Sequence, residues 1–322
     1  MFKLIKIELT KVFLAKSIWV GLLCCIVIIT GLGALLSADD FFEESTDNQS
    51  ALEQEYENTE DWKEKLRIQM QLNESMEDYY SQDEIELKNE ILQFKIDKNL
   101  QPYGYNTTWD FISYTFQILN ILLIIIGIWL TSEIVISEFT NKTYKLTYTK
   151  PYKRWQIYVS KYVAMLLTIL FVAVVMLLIS GVVGGLFFEF GGFASKTAIC
   201  LFGKLMAITL GGEAFLYMFF AVIKAVSVAS IVFLLAEICR NQVLTVIIGI
   251  ACAMWGKLLF SKLVENGMTG FKYSLFMHYD FTNFIDSLIP YNFNALISGT
   301  VLAVHILLLL GAGILINQKR DL

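Results

Sequence analysis

Charge-free apolar runs alternate with short polar segments along most of the chain. Ser17–Ala38, Phe111–Ser132 and Tyr162–Phe188 carry no charged residue. Ala214–Ala236 is interrupted only by Lys224, Asn241–Gly256 continues to about Phe260, and Ser287–Gln318 is uncharged throughout. A bilayer core about 30 Å thick takes roughly 20 apolar residues in a helix, so each run is long enough to cross. The last exceeds one crossing and opens with Pro290, Asn292 and Asn294, which places its helix near Leu296–Ile316. The pattern predicts an all-α polytopic membrane protein with six transmembrane helices. Lys196–Gly212 stays ambiguous: it is apolar but holds Lys204 and precedes Glu213, which leaves open an interfacial helix, a re-entrant piece or part of an extra span.

Two further patterns have helical spacing. In residues 1–16, Phe2, Ile5, Leu9, Val12 and Phe13 recur every three or four positions with Lys3, Lys6 and Lys11 between them, as in an amphipathic helix lying in a membrane interface. Residues 38–110 read as two helices forming a hairpin that breaks around Tyr79–Gln82. Ser50 with Glu53 and Ser81 with Glu84 are capping boxes. Leu52, Tyr56, Trp62, Leu66, Met70 and Met76 form the first apolar stripe, and Leu87, Ile91, Phe94 and Ile96 the second. Pro102-Tyr103-Gly104 ends the hairpin.

Composition strengthens the membrane reading. The 322 residues are 56% hydrophobic and 17% charged, against about 25% charged in soluble domains. Residues 38–110 hold 20 Asp/Glu and 6 Lys/Arg, a balance of −14; the whole chain is −5, so the remainder is +9. A basic apolar body with one acidic insert excludes a nucleic-acid binder of the basic-patch kind. The five cysteines lie in or beside apolar runs without metal spacing, and neither a disulfide framework nor a metal site is expected. Lys3, Lys6, Lys11 and Lys16 precede the first span (17–37), Lys319 and Arg320 follow the last, and the loop after the second span (111–132) is rich in Lys. The positive-inside rule then sets both termini in the cytoplasm and the acidic insert outside. The first span is about 20 residues, too long for a signal-peptide core, and is read as uncleaved.

The loop carries an ordered set of residues: Glu138, Thr143, Leu146, Lys150, Pro151 and Arg154. This order resembles the first cytoplasmic loop of type-2 ABC transporter permeases, the membrane subunits of bacterial ATP-driven exporters. Lys142 stands where the family pattern has Gly. The N-terminal amphipathic helix matches that family's elbow helix, and Arg240-Asn241 matches its turn after the fourth span. Ser261–Ala295 matches its outer re-entrant segment. The resemblance implies a coupling loop at 133–157, spans three to six within 158–322, and contact between an ATPase subunit and the elbow helix with the 138–154 loop. It implies two copies of a cytoplasmic ABC ATPase that bind ATP and Mg, a second permease subunit (homo- or heterodimer), membrane lipids around them, and a bacterial plasma-membrane location.

Chemistry within the chain is sparse. Gly203-Lys204 and Gly256-Lys257 are each followed by Leu, so no phosphate-binding loop of the G-x-x-x-x-G-K-[ST] kind is present. No catalytic residues, cofactor site or enzyme activity of its own is expected. Glu213 and Lys224 form a candidate intramembrane polar site; lying eleven residues apart, about 16 Å along a helix, they are too distant to pair directly. The expected function is export of amphiphilic cargo (a peptide, antimicrobial peptide, toxin, lipid or drug) driven by the separate ATPase. The alternatives are an ion-gradient-driven secondary transporter using Lys224 and Glu213, or a membrane sensor whose hairpin captures a ligand.

Overall fold

The computed structural model describes residues 1–38, 51–76, 80–101, 107–143, 152–287 and 293–319. The elements, in chain order, are helices α1 (Phe2–Leu14), α2 (Lys16–Ser37), α3 (Ala51–Asn58), α4 (Trp62–Ser75), α5 (Gln82–Asp97), α6 (Thr108–Ile118), α7 (Asn120–Thr140) and α8 (Arg154–Phe187). A two-stranded β-hairpin follows, β1 (Lys196–Leu201) and β2 (Lys204–Thr209), then α9 (Leu210–Cys239), α10 (Gln242–Glu265), α11 (Leu275–His278) and α12 (Ala295–Lys319). Six of the helices, α2, α7, α8, α9, α10 and α12, are long and apolar enough to cross a bilayer. The body is that of a helical multi-pass membrane protein.

α7 and α9 form its centre. Phe233, Ile128, Ile136 and Val228 are almost fully buried between neighbouring helices. By contrast α2, α10 and α12 expose long apolar faces, including Leu23 and Val27, Leu258 and Leu259, and Leu307 and Leu308. In a membrane such faces meet lipid, which carries no penalty for apolar surface. Close helix approach requires small residues at two positions. A side chain at Gly256 would collide with the Phe276 ring, and one at Gly313 with Tyr158.

The second apolar run is broken rather than continuous. Thr107 caps α6, its Oγ1 accepting from the Asp110 N–H at 3.3 Å. The Thr115 hydroxyl then donates back to the Phe111 carbonyl at 2.8 Å, a side-chain contact that competes with the helix ladder. α6 closes at Leu119, and α7 continues to Thr140, so the helix that enters the 133–157 loop already contains Glu138.

Lys196–Gly212 is neither an interfacial helix nor a span. Its residues pair as an antiparallel hairpin, from Lys196 opposite Thr209 to Leu201 opposite Lys204. Phe202 (φ 52°) and Gly203 (φ 73°) occupy the turn, where two positive φ angles suit the twist of the strands. Ala198 and Cys200 alternate onto one face and pack against Leu87, Ile91 and Phe94 of α5. Asp286 fixes the hairpin: its carboxylate accepts from the Cys200 N–H at 2.6 Å, and its own N–H donates to the Cys200 carbonyl at 2.9 Å.

The insert has three described helices where the apolar stripes predict two, because residues 59–61 separate α3 from α4. Asp61 caps α4 by accepting from the Lys63 N–H at 3.0 Å. Ser81 and Glu84 form the capping box of α5, with bonds of 3.4 and 3.1 Å. α4 and α5 pack together through Leu66, Leu72 and Ile85, with Asn73 donating to Asn89 at 2.9 Å. The first predicted capping residue, Ser50, and Pro102-Tyr103-Gly104 lie outside the described residues.

Candidate functional site

The ends of six helices meet where the lysines concentrate. Glu138, in the last turn of α7, is 4% exposed. Its Oε2 accepts from Lys161 Nζ of α8 at 2.8 Å. Its Oε1 accepts from Lys11 Nζ of α1 at 2.5 Å, and Lys11 also reaches Glu8 at 2.8 Å. One carboxylate thereby ties three helices. Lys161 is as buried as Glu138, with only 7% of its side chain exposed. A buried ammonium without a counter-charge is very costly, so Lys161 and Glu138 depend on each other. Burial pulls the Lys11 pKa down, but Glu8 and Glu138 more than offset it and hold it above its usual value.

The α7 terminus beside this junction has an unusual cap. Lys142 adopts φ 56°, donating to the Phe139 carbonyl at 3.2 Å, while Thr143 N–H donates to Glu138 O at 2.9 Å. These two bonds are the Schellman pattern, whose left-handed position favours Gly. Lys142 makes a turn that a Gly would make without steric cost. Lys142→Gly is therefore expected to stabilise the protein by about 0.5–1 kcal/mol, read as a higher thermal midpoint of the detergent-solubilised chain; a lower midpoint would contradict the strain argument.

Neighbouring helix ends complete the face. Arg240, in the left-handed cap of α9 (φ 51°), lies over the Phe139 ring at 4.3 Å. Asn241 starts α10, its side chain accepting from the Leu244 N–H at 3.1 Å. Glu237 accepts from Asn317 of α12 at 3.0 Å, and Arg154 donates to the Gln318 carbonyl at 3.4 Å. Of the six loop residues singled out in the sequence, Glu138 and Thr143 share the α7 cap and Arg154 opens α8. Leu146, Lys150 and Pro151 lie outside the described residues.

The intramembrane polar site is composed differently from the sequence expectation. Lys224 Nζ pairs with Asp280 Oδ2 at 2.6 Å, the two side chains being 14% and 13% exposed. Asp280 lies after α11, in a segment that packs along α9, α10 and α12. Tyr279 donates to the Ala253 carbonyl at 3.2 Å, and His278 Nδ1 meets Ser298 Oγ at 2.9 Å. Asn283 accepts from Lys257 Nζ at 2.9 Å. Lys224 is fourteen residues into α9, about 21 Å from its start, so this segment reaches far along the bundle. Glu213, in the first turn of α9, is not brought to Lys224. Burial pushes the Asp280 carboxyl upward, but Lys224 prevails and holds it below the usual range.

Asp110, at the opposite end of the bundle from the lysine junction, behaves in the contrary way. Burial pushes its carboxyl up to about 6, against the pull of its bonds from Thr107. The folded chain then holds this proton more tightly than the unfolded chain. Its contribution to stability accordingly falls as pH rises from about 4 through 6. Asp110→Asn is expected to raise the thermal midpoint at neutral pH and to leave it unchanged below about pH 4; an unchanged midpoint at neutral pH would refute it.

The sequence alone does not single out Glu8, Lys161 or Asp280. Glu8 had a signal, being the lone acid before residue 39. Lys161 and Asp280 lie 23 and 56 residues from their partners, and no local spacing marks them.

Fold and polar network together define a multi-pass helical membrane protein whose helix ends are locked at one lysine-rich face. Residues 85–322 match the model of a family described as a protein of unknown function, DUF2705, and the chain belongs to that family. It is also 26% identical over 327 residues to the uncharacterized protein YhcI of Bacillus subtilis (strain 168), an alignment covering 100% of this chain and 99% of that relative.

Proposed function

We propose that this chain is the membrane permease subunit of an ABC-type exporter, moved by separate ATPase subunits at its lysine-rich face. The observation that carries the reading is the buried Glu138 junction. The residue that opens the coupling-loop pattern joins the amphipathic α1 to α7 and α8. A push on α1 or on the 138–154 loop is thereby passed to three helices at once, as a rigid-body transition requires.

In this reading α1 is the elbow helix at the cytoplasmic interface. It buries Leu4, Glu8 and Val12 and leaves Phe2 and Leu14 exposed. Both termini are cytoplasmic, the acidic helices of the insert are extracellular, and the Asp280 segment is the outer re-entrant piece. ATP and Mg belong to two ATPase subunits, a second permease completes the conduit, and the complex sits in a bacterial plasma membrane. The cargo is amphiphilic.

The test is co-purification of the tagged full chain from its native membrane, followed by transport of labelled cationic amphipathic peptides in vesicles. An ATPase that co-purifies, and export that stops when its ATP site is inactivated, support the reading. Transport that fails on collapse of the ion gradient with ATP intact favours the secondary transporter, whose specific support is the buried Lys224–Asp280 pair. Peptide binding without flux favours the sensor.

A further inference from the structure

A cavity of ≈ 450 Å³ opens between α1, α2 and α7 beside the Glu138 junction. Val12, Leu130 and Ile134 give it apolar walls, and Ser17 and Glu133 line it. The Glu133 Oε2 and Ser17 Oγ atoms are buried and have no hydrogen-bond partner. Around the cavity and its junction the carboxylates of Glu8, Glu133 and Glu138 outnumber the ammonium groups of Lys11 and Lys161. Glu8, Lys11, Glu138 and Lys161 neutralise one another, which leaves Glu133, among the described residues, as the carboxylate without a salt bridge. A buried carboxylate oxygen and a hydroxyl, both lacking donors, call for a cationic group with several N–H bonds to give.

Depth and surroundings identify the source. Glu133 is seven residues before the end of α7, about 10 Å along the helix, and Ser17 is at the start of α2, so the cavity lies at headgroup level rather than at mid-membrane. Exposed apolar tracks descend from it on both helices. Val20 and Val27 continue the Ser17 face of α2, and Trp129, Ile125 and Ile121 continue the Glu133 face of α7. Lys11, with 42% of its side chain exposed at the cavity wall, has one N–H beyond its bonds to Glu8 and Glu138 to give to a phosphate.

We propose that this cavity binds the headgroup of an ethanolamine phospholipid, its primary ammonium on Glu133 and Ser17, its phosphate toward Lys11 and its chains along the two tracks. A choline headgroup has no N–H to donate, and an anionic headgroup brings the wrong charge to Glu133. The inference stands apart from the ATPase reading, since it requires only that the chain spans a bilayer.

The experiment uses the full chain, purified and equilibrated with chain-matched ethanolamine, choline and glycerol phospholipids, with retained lipid counted by native mass spectrometry. Wild type is expected to retain the ethanolamine lipid about tenfold over the choline lipid, as one charge-assisted hydrogen bond predicts. Glu133→Gln should bring the ratio close to unity, while Glu265→Gln, at the other end of the bundle, leaves it unchanged. A photoreactive ethanolamine lipid in vesicles gives a readout independent of the variant's folding, and its label should map to peptides around Ser17 and Glu133. Equal retention by wild type and Glu133→Gln, preference for the glycerol lipid, or label confined to α10 and α12 overturns the proposal. Displacement by free phosphoethanolamine as effective as by the lipid assigns the site to a soluble amine and overturns it too. So does a carbodiimide crosslink from Glu133 to a co-purifying protein without lipid preference.

Discussion

Glu138→Ala is expected to cost about 3–5 kcal/mol of stability, the range for removing one partner of a buried ion pair. The cost falls on Lys161, whose side chain is only 7% exposed. Lys11 is different: 42% of its side chain is exposed, so Lys11→Ala should cost no more than about 1 kcal/mol. Adding Lys161→Met to Glu138→Ala removes the orphaned charge and should recover most of the loss. The resulting double-mutant cycle, followed by thermal unfolding in detergent, isolates the coupling of the two residues. Additive effects would mean that the junction does not hold α7 to α8. The same burial complicates a functional use of Glu138→Ala, because lost coupling and lost fold look alike in a transport assay. Arg154, half-buried and bonded to a backbone carbonyl, is the cleaner probe. On the exporter reading, Arg154→Ala should leave insertion intact while uncoupling ATP hydrolysis from export, and unchanged export would count against that reading.

The membrane body was legible because a bilayer imposes a simple condition on sequence: about 20 apolar residues without charge. Four runs meet it outright and two more carry a single lysine each, Lys224 and Lys257; six helices of that kind are present among the described residues. The misreadings come from segments where hydrophobicity alone does not choose between helix and strand. Lys196–Thr209 alternates small and large residues around Phe202-Gly203, and its partner α5 lies a hundred residues earlier in the chain. The break at Leu119 was hidden for a related reason. Gln117 and Asn120 bracket only two apolar residues, and a pair of uncharged amides does not interrupt a charge-free run. At the site, Glu138 was visible through the order of residues around it. What it touches was not, since Lys11 lies 127 residues away and contact at that range is set by helix packing.

Lys224→Met tests whether the second buried pair holds the fold or carries ions. Loss of the ammonium leaves Asp280 in a site where its side chain is 13% exposed, and the expected cost at neutral pH is about 3–5 kcal/mol. The pH dependence should also invert. In the native protein Asp280 is held below the usual carboxylate range, so its contribution is present above about pH 4 and disappears as the pH falls through the lower folded value. Without Lys224 the upward push of burial is opposed only by the Thr282 hydroxyl and by Lys257. The variant should then gain stability as the pH falls from neutral toward about 4, where protonation removes the orphaned charge. Lys224→Met with Asp280→Asn removes both charges and is expected to restore thermal stability close to wild type. If the pair serves only to seat the Asp280 segment against α9, the exporter reading expects this double variant to keep transport at the wild-type level. An ion relay cannot survive that exchange, because neither Met nor Asn accepts or releases a proton near neutral pH. A folded double variant whose transport is abolished would therefore overturn the proposed ATPase drive and favour a gradient-driven transporter built on Lys224 and Asp280.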